Sequence, residues 1–335
     1  MPALLRDRPD DLRVLVELTA QARGINNVFV EKDFWVTETL RAATAPIEID
    51  SRDGLQHRVR AIFKGGTSLS RIYGLIERFS EDVDLLIGFP PVDASVGAKD
   101  RVLKRIRDNV GAHLRLGPAD IRAEGASTKG VKRNTRYHYP RAYRGHSAVS
   151  GGVLLEMGCR GGTFPTQTHA MRSMVAEHAI DELGDTADTW QEFAAFDVEV
   201  LAPERTLMEK LGMLHDAATN IADDVYRARL LKAGRHLYDV YQLLNAEQVV
   251  DALRVAGPGG VGALCDDIYE HSVEAGFPCT RRPASGYGQS PLVQPAAGCR
   301  EVLEAAYEAS AELVYGSRPT LDECLDAIRG SATLL

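Results

Sequence analysis

Asp82 and Asp84 flank a single valine, and they close a stretch that opens with a glycine pair: KGGTSLSRIYGLIERFSEDVDLLI, from Lys64 to Ile87. On a strand, residues two apart face the same side. Two carboxylates so placed repel unless a cation sits between them. A hard divalent ion such as Mg²⁺ favours these oxygens and keeps water and phosphate oxygens in its remaining positions. Gly65 and Gly66 lack the Cβ that would hold phosphate oxygens away from the backbone. A helix that starts there adds outward N–H groups and the positive end of its dipole. Thr67 and Ser68 add hydroxyl donors. The Gly-Lys-Ser/Thr ending of a P-loop is missing. Neither Asp-x-Asp nor Gly-Gly-Thr means much alone. Together, in a strand–turn–helix–strand context, they point to metal-assisted phosphoryl or nucleotidyl transfer from a nucleoside triphosphate.

The elements that must position these groups follow from periodicity. Residues 9–45 read as helices, RVRAIFKGG as a strand ending in a turn, and TSLSRIYGLIER as a helix capped by Thr67 or Ser68. DVDLLIGF reads as a strand stopped by Pro90 and Pro91, and 97–115 as a helix. IRAEGAST, KRNTRYHYPRAY, GGVLLEMGCR and FDVEVLAP read as further strands. From Pro203, at a first-turn position, the chain turns helical: 203–218, 222–245, 299–316 and 319–334. The Pro/Gly-rich stretch 277–298 reads as a loop or lid. The expected fold class is α/β (α+β), with a small mixed sheet in a domain over 1–202 and a largely helical C-terminal domain over 203–335.

Glu156 lies among apolar neighbours in VLLEMG, where an acid is costly unless paired or metal-bound. It is the candidate third carboxylate, completing the metal site or accepting a proton; the alternative is an edge-strand acid facing solvent. Lys132, Arg133, Arg136 and Arg141, with Lys129 and Arg144, are interleaved with Tyr137, His138, Tyr139 and Tyr143 in a stretch without acids. Cations pair with phosphates and aromatic faces stack on unpaired bases, so RNA contact is expected, against the alternative of a solvated basic face. A second basic cluster, Arg227 to His236, reads equally as a solvated helix face. Lys210 shares a helix face with Leu207 and Leu214, where it either snorkels or meets a triphosphate. Asp239, one turn after Arg235, is either half of a helical salt bridge or a group that positions Lys210.

A net charge of −8 argues against non-specific coating of nucleic acid. Charged residues come too early for a signal peptide, and no apolar run is long enough to span a membrane. Five scattered cysteines suggest neither a zinc knuckle nor a disulfide framework, so a reduced cytoplasm is the expected compartment. No Gly-x-Ser-x-Gly elbow supports a serine hydrolase.

The stretch KGGTSLSRIYGLIERFSEDVDL resembles the signature of the AbiEii/AbiGii nucleotidyltransferase toxins, which include the MenT toxins and belong to the DNA polymerase β-like nucleotidyltransferase superfamily. VEKDFWV, PERTLMEKLGML and RHLYDVYQLL extend the resemblance over most of the chain. It implies a nucleotidyltransferase fold and a toxin that adds nucleotides to RNA, notably the 3′ end of tRNA, under control of a cognate antitoxin. It implies metal-binding roles for Asp82 and Asp84, nucleotide binding along Lys64 to Ser68, an essential lysine at Lys210 and a functional aspartate at Asp239. The rival expectations are AMP transfer to a protein hydroxyl, nucleotidylation of a small molecule, and a non-catalytic partner-binding module.

Overall fold

The stretches 83–88 and 153–158 are buried at four of six positions each and pair inside the sheet. Val83 pairs with Leu155 and Leu85 with Met157 across parallel strands, so their apolar side chains share one face, while Asp84 and Glu156 share the other. The structure, a computed structural model, describes residues 2–143, 149–159, 161–256, 259–274, 276 and 279–335. Arg144 of the basic tract and residues 277 and 278 at the head of the Pro/Gly loop lie outside the described residues.

The chain divides into two compact units: Met1–Thr67, Glu81–Cys159 and Thr166–Val200 form the first, and Ser68–Ser80, Arg160–Pro165 and Leu201–Leu335 the second. In chain order up to the end of the sheet the elements are α1 (Pro9–Arg23), α2 (Asn27–Ala43), β1 (Ile47–Asp50), β2 (Gln56–Lys64), α3 (Gly65–Arg71), β3 (Val83–Gly88), α4 (Val96–His113), β4 (Ile121–Ala123), β5 (Lys132–Tyr137), β6 (Val153–Gly158), β7 (Thr166–Met171), α5 (Met174–Asp181) and β8 (Phe196–Leu201). The strand order is β4-β5-β6-β3-β2-β8-β7, with β1 paired to β2. The β2–β3, β4–β5, β5–β6 and β1–β2 pairs are antiparallel, while β3–β6 and β2–β8 are parallel. The sheet is therefore mixed, as expected. β6 lies inside it, between β3 and β5, so Glu156 is not on an edge. Helix α2 packs on β3 and β6 and against α1, α4 and α5.

The second unit is helical, with α6 (Pro203–Thr219), α7 (Asp224–Lys232), α8 (Gly234–Asn245), α9 (Glu247–Arg254), α10 (Gly260–Glu274), α11 (Ala297–Ala309) and α12 (Leu321–Gly330). Its apolar core gathers Leu207, Leu211 and Leu214 of α6, Leu237 and Val240 of α8, Leu303 of α11 and Ile328 of α12. Leu69 and Ile76 join the same core. Each fully buried leucine or isoleucine contributes roughly 1.5–3 kcal/mol of transfer free energy.

The structure differs from the sequence pattern in one stretch that matters. The helix expected over 67–78 is α3, which starts earlier, at Gly65, and ends at Arg71. Gly74 takes a left-handed φ of 62°, and Leu75 N–H closes the turn on Leu69 O. Residues 77–79 then run alongside 313–316: Phe79 N–H donates to Leu313 O at 2.7 Å and Tyr315 N–H to Glu77 O at 3.0 Å. Tertiary pairing overrides local helix propensity here. Strands β1 and β7 and helices α5, α9 and α10 are additions that periodicity did not mark. Among the described residues, no helix is long and apolar enough to cross a membrane.

Gly234 starts α8 against the backbone of α11; a Cβ there would lie 1.9 Å from Ala306 O. Gly234→Ala is expected to overpack this contact and to lower stability by about 1–3 kcal/mol. The check is the urea midpoint of the variant against that of the parent chain.

Candidate active site

The first unit sets the carboxylates in a row. Lys64 on β2 pairs with Asp84 on β3, Asp84 with Glu156 on β6, and Glu156 with Asn134 on β5. Directly paired residues point to the same face, so these four side chains line one side of the sheet. Asn134 Nδ2 donates to Glu156 Oε1 at 2.6 Å, which fixes the acid on its apolar strand. Asp82 immediately precedes β3, and its carbonyl accepts the Thr67 hydroxyl at 2.7 Å. That bond ties the first turn of α3 to the entry of β3. Thr67 and Ser68 are buried, and Asp82 and Asp84 are half-buried.

Gly65 explains the glycine pair. It has φ +84°, and a Cβ there would sit 2.3 Å from Asp84 Oδ2. The absent side chain is the space the Asp84 carboxylate occupies. The donor set is hard: carboxylate oxygens, with no soft sulfur. Among the described residues no group of three or more His, Cys, Asp or Glu side chains converges as a metal cage. Oxygen donors of this kind suit a hard divalent cation whose shell is completed by water and substrate oxygens.

The basic tract divides on inspection of its partners. Arg133 pairs with Asp100 at 3.1 Å, and Arg136 forms a two-pronged pair with Glu124 at 2.5 and 2.8 Å. Lys132 and Arg141 are exposed. Tyr137 and Tyr139 are core residues rather than stacking platforms. Tyr137 OH donates to Arg107 O at 2.9 Å, and Tyr139 stacks on Trp35 with centroids 4.9 Å apart. In KRNTRY the alternate residues face inward, and the local charge bias hides that.

The second unit holds a buried ion cluster. Arg78 grips Asp239 with two parallel hydrogen bonds, Nε to Oδ1 at 2.6 Å and Nη2 to Oδ2 at 2.8 Å. Lys210 Nζ reaches the same Oδ2 at 2.8 Å and His236 Nδ1 at 3.0 Å. Asp239 is thus paired with Arg78 and Lys210, not with Arg235. Nothing in the local pattern marks Arg78 as its partner, since 161 residues separate them. Burial opposes the Asp239 charge, but Arg78 and Lys210 outweigh it and hold the carboxyl well below its usual range. Burial pushes the Lys210 ammonium down against the pull of Asp239. Arg78, Lys210 and Asp239 are 2%, 5% and 0% exposed, so all three charged groups lie in the interior of the second unit. His236 is neutral at pH 7 and accepts from Lys210.

Burial, seconded by the Lys210 charge, lowers the His236 pKa from 6.5 to about 4. An unfolded histidine binds its proton near pH 6.5, and the folded one resists until about pH 4. The stability from keeping His236 neutral is therefore fully present above pH 6.5 and is lost as pH falls to about 4, by roughly 3 kcal/mol from a shift of that size. His236→Gln keeps an acceptor for Lys210 without the titration. Its melting temperature should fall less than the parent's over this window; parallel curves would contradict the assignment.

Comparison with known proteins accords with this arrangement. The family described as nucleotidyl transferase AbiEii toxin of type IV toxin–antitoxin systems matches residues 52–327. Among solved structures, the fold is similar to MenT4, a nucleotidyltransferase toxin from Mycobacterium tuberculosis H37Rv, with a TM-score of 0.53 and 16% identity over 96% of this chain and 88% of that one. No match was found among curated proteins. The family match spans the glycine pair, the carboxylate row and the buried ion cluster, and the chain belongs to the AbiEii nucleotidyltransferase toxin family of type IV toxin–antitoxin systems.

Proposed function

We propose that the protein transfers nucleotides from an NTP to the 3′ end of tRNA in a Mg²⁺-dependent reaction, halting growth until a cognate antitoxin restrains it. The observation that carries this reading is the row Asp84–Glu156 across β3 and β6, with Asp82 at the strand entry and Gly65 giving up its side-chain volume to Asp84. In the reaction the acceptor's 3′-oxygen forms a bond to the α-phosphorus as the bond to pyrophosphate breaks. Asp82 and Asp84 would hold the divalent ion, which supplies charge neutralisation to the phosphates when bound. Glu156, oriented by Asn134, would take the proton of the attacking hydroxyl. Backbone groups from Lys64 to Ser68 would receive the nucleotide's phosphates. Lys210 is assigned to neutralising an anionic substrate, with Asp239 fixing its position. Lys132 and Arg141 are the exposed members of the proposed RNA contact, with Arg133 and Arg136 held by Asp100 and Glu124.

One observation favours a second reading, nucleotidylation of a protein or small-molecule hydroxyl. The tract's tyrosines 137 and 139 are in the core and cannot stack on bases. A single assay separates the two. Purified protein is incubated with total tRNA, Mg²⁺ and each labelled NTP, beside Asp82→Ala. Label in tRNA with the parent chain alone supports the first reading. Label in protein or in small molecules but not in RNA supports the second. An Asp82→Ala variant as toxic as the parent would mean a partner-binding module instead.

In the same assay Gly65→Ala should lose at least roughly a hundredfold in rate, the scale of a misplaced reacting group. Its left-handed backbone adds about 1–2 kcal/mol of strain for any residue with a Cβ. A Gly65→Ala enzyme of parental rate would show that Asp84 does not need that space.

A further inference from the structure

Three consecutive charged residues on α2 are buried, a costly arrangement unless each is satisfied. Glu31, Lys32 and Asp33 are 3%, 0% and 6% exposed. Successive residues on a helix diverge by about 100°, so the three reach different partners. Glu31 accepts from Ala142 N–H at 2.7 Å and Tyr143 N–H at 3.3 Å. Asp33 accepts from Met174 N–H at 2.6 Å. Lys32 donates to Ser150 O at 3.1 Å and to Gly152 O, and pairs with Glu81 at 3.1 Å.

Glu81 is the residue before Asp82. Its two oxygens accept from Ser150 N–H at 3.1 and 3.0 Å. Ser150 and Gly152 lead directly into β6, which carries Glu156. Gly152 itself is locked in place: at φ +75° a Cβ would lie 2.4 Å from Tyr137 O. One ammonium thus joins the approach to β3 to the approach to β6, the two parallel strands that bear the acids. A lysine held by two carbonyls and a carboxylate has spent its three N–H donors.

We propose that Lys32, acting through Glu81 and the 150–152 backbone, is a positioning residue that sets the spacing of Asp82 and Asp84 from Glu156 and thereby tunes divalent-cation binding. The proposal rests on the reading of Asp82 and Asp84 as metal carboxylates. The hydrogen bonds and ion pair of Lys32 run to Ser150, Gly152 and Glu81, and Asp82 is near enough to feel its charge. Its effect on metal binding is mechanical, in the way that outer partners orient ligands at metal sites.

The test measures Mn²⁺ binding by electron paramagnetic resonance on the full chain, with no nucleotide present. The variants are Lys32→Met, the charge-balanced double variant Lys32→Met with Glu81→Gln, and Asp82→Ala. Positioning predicts that both Lys32 variants bind Mn²⁺ roughly tenfold more weakly, the lower end of what lost outer partners cost. Electrostatics alone predicts the opposite for Lys32→Met, since removing a cation beside carboxylates tightens Mn²⁺, and no change for the double variant. Unchanged or tighter binding in the double variant overturns the proposal. Should the single variant fail to fold, the double variant decides, because replacing both members of a buried pair is tolerated far better than removing one. Asp82→Ala keeping the parental affinity would overturn the carboxylate reading itself and the proposal with it. That result is distinct from one in which only the Lys32 variants match the parent.

Discussion

The carboxylate of Asp84 fills the volume in which position 65 would otherwise carry a side chain. Much of the first unit is arranged around that substitution of an acid for a methyl group. The glycine must take a left-handed backbone to leave β2, so α3 begins at once and points its first turn toward the entry of β3. The Thr67 hydroxyl closes the same junction on the Asp82 carbonyl. Strand register then carries the constraint sideways, from Asp84 to Glu156 and on to Asn134. A one-residue slip of β6 would move Glu156 to the apolar face.

Both units bury charge. In the first, Glu31 and Asp33 of helix α2 accept from the N–H groups of 142, 143 and 174, Lys32 joins the carbonyls of 150 and 152 to Glu81, and Glu38 is held by Arg6 and Arg41. The bonds to backbone are local in effect and fix loops. In the second, one carboxylate, Asp239, is shared by a guanidinium and an ammonium, with a neutral imidazole behind the latter. Such a knot is sensitive to its membership. Removal of the carboxylate would leave two buried cations facing each other, a far larger penalty than the loss of any single exposed pair.

Much of this is legible in the sequence. DVDLLI and VLLEMG read as strands and are β3 and β6, and Pro203 marks the start of α6. Asp82 and Asp84 stand out by their spacing behind the glycine pair, and Glu156 as an acid amid apolar neighbours. What stayed hidden was partnership at a distance. Arg78 belongs to Asp239, and Lys32 belongs to a turn more than a hundred residues downstream. Neither partnership shows in the residue's own helix or loop. The basic tract misled in the opposite sense. Its cations suggest a solvated face, yet Tyr137 and Tyr139 are inward residues, and Arg136 is held by a glutamate just upstream of the tract's strand. Composition over a window does not distinguish the two faces of a strand.

The path of the chain has a further consequence. Residues 68–80 and 160–165 leave the first unit, join the second and return. The excursion 68–80 lies between the glycine pair and the aspartates. It brings Leu69 and Ile76 into the helical core, together with the backbone pairing of 77–79 to 313–316. No single cut in the polypeptide can therefore release the sheet unit as a self-sufficient piece. A fragment ending near residue 200 would carry an apolar loop stripped of its core in the middle of its own signature. Moved alone into another chain, the signature would lack the helices into whose core its connecting segment packs.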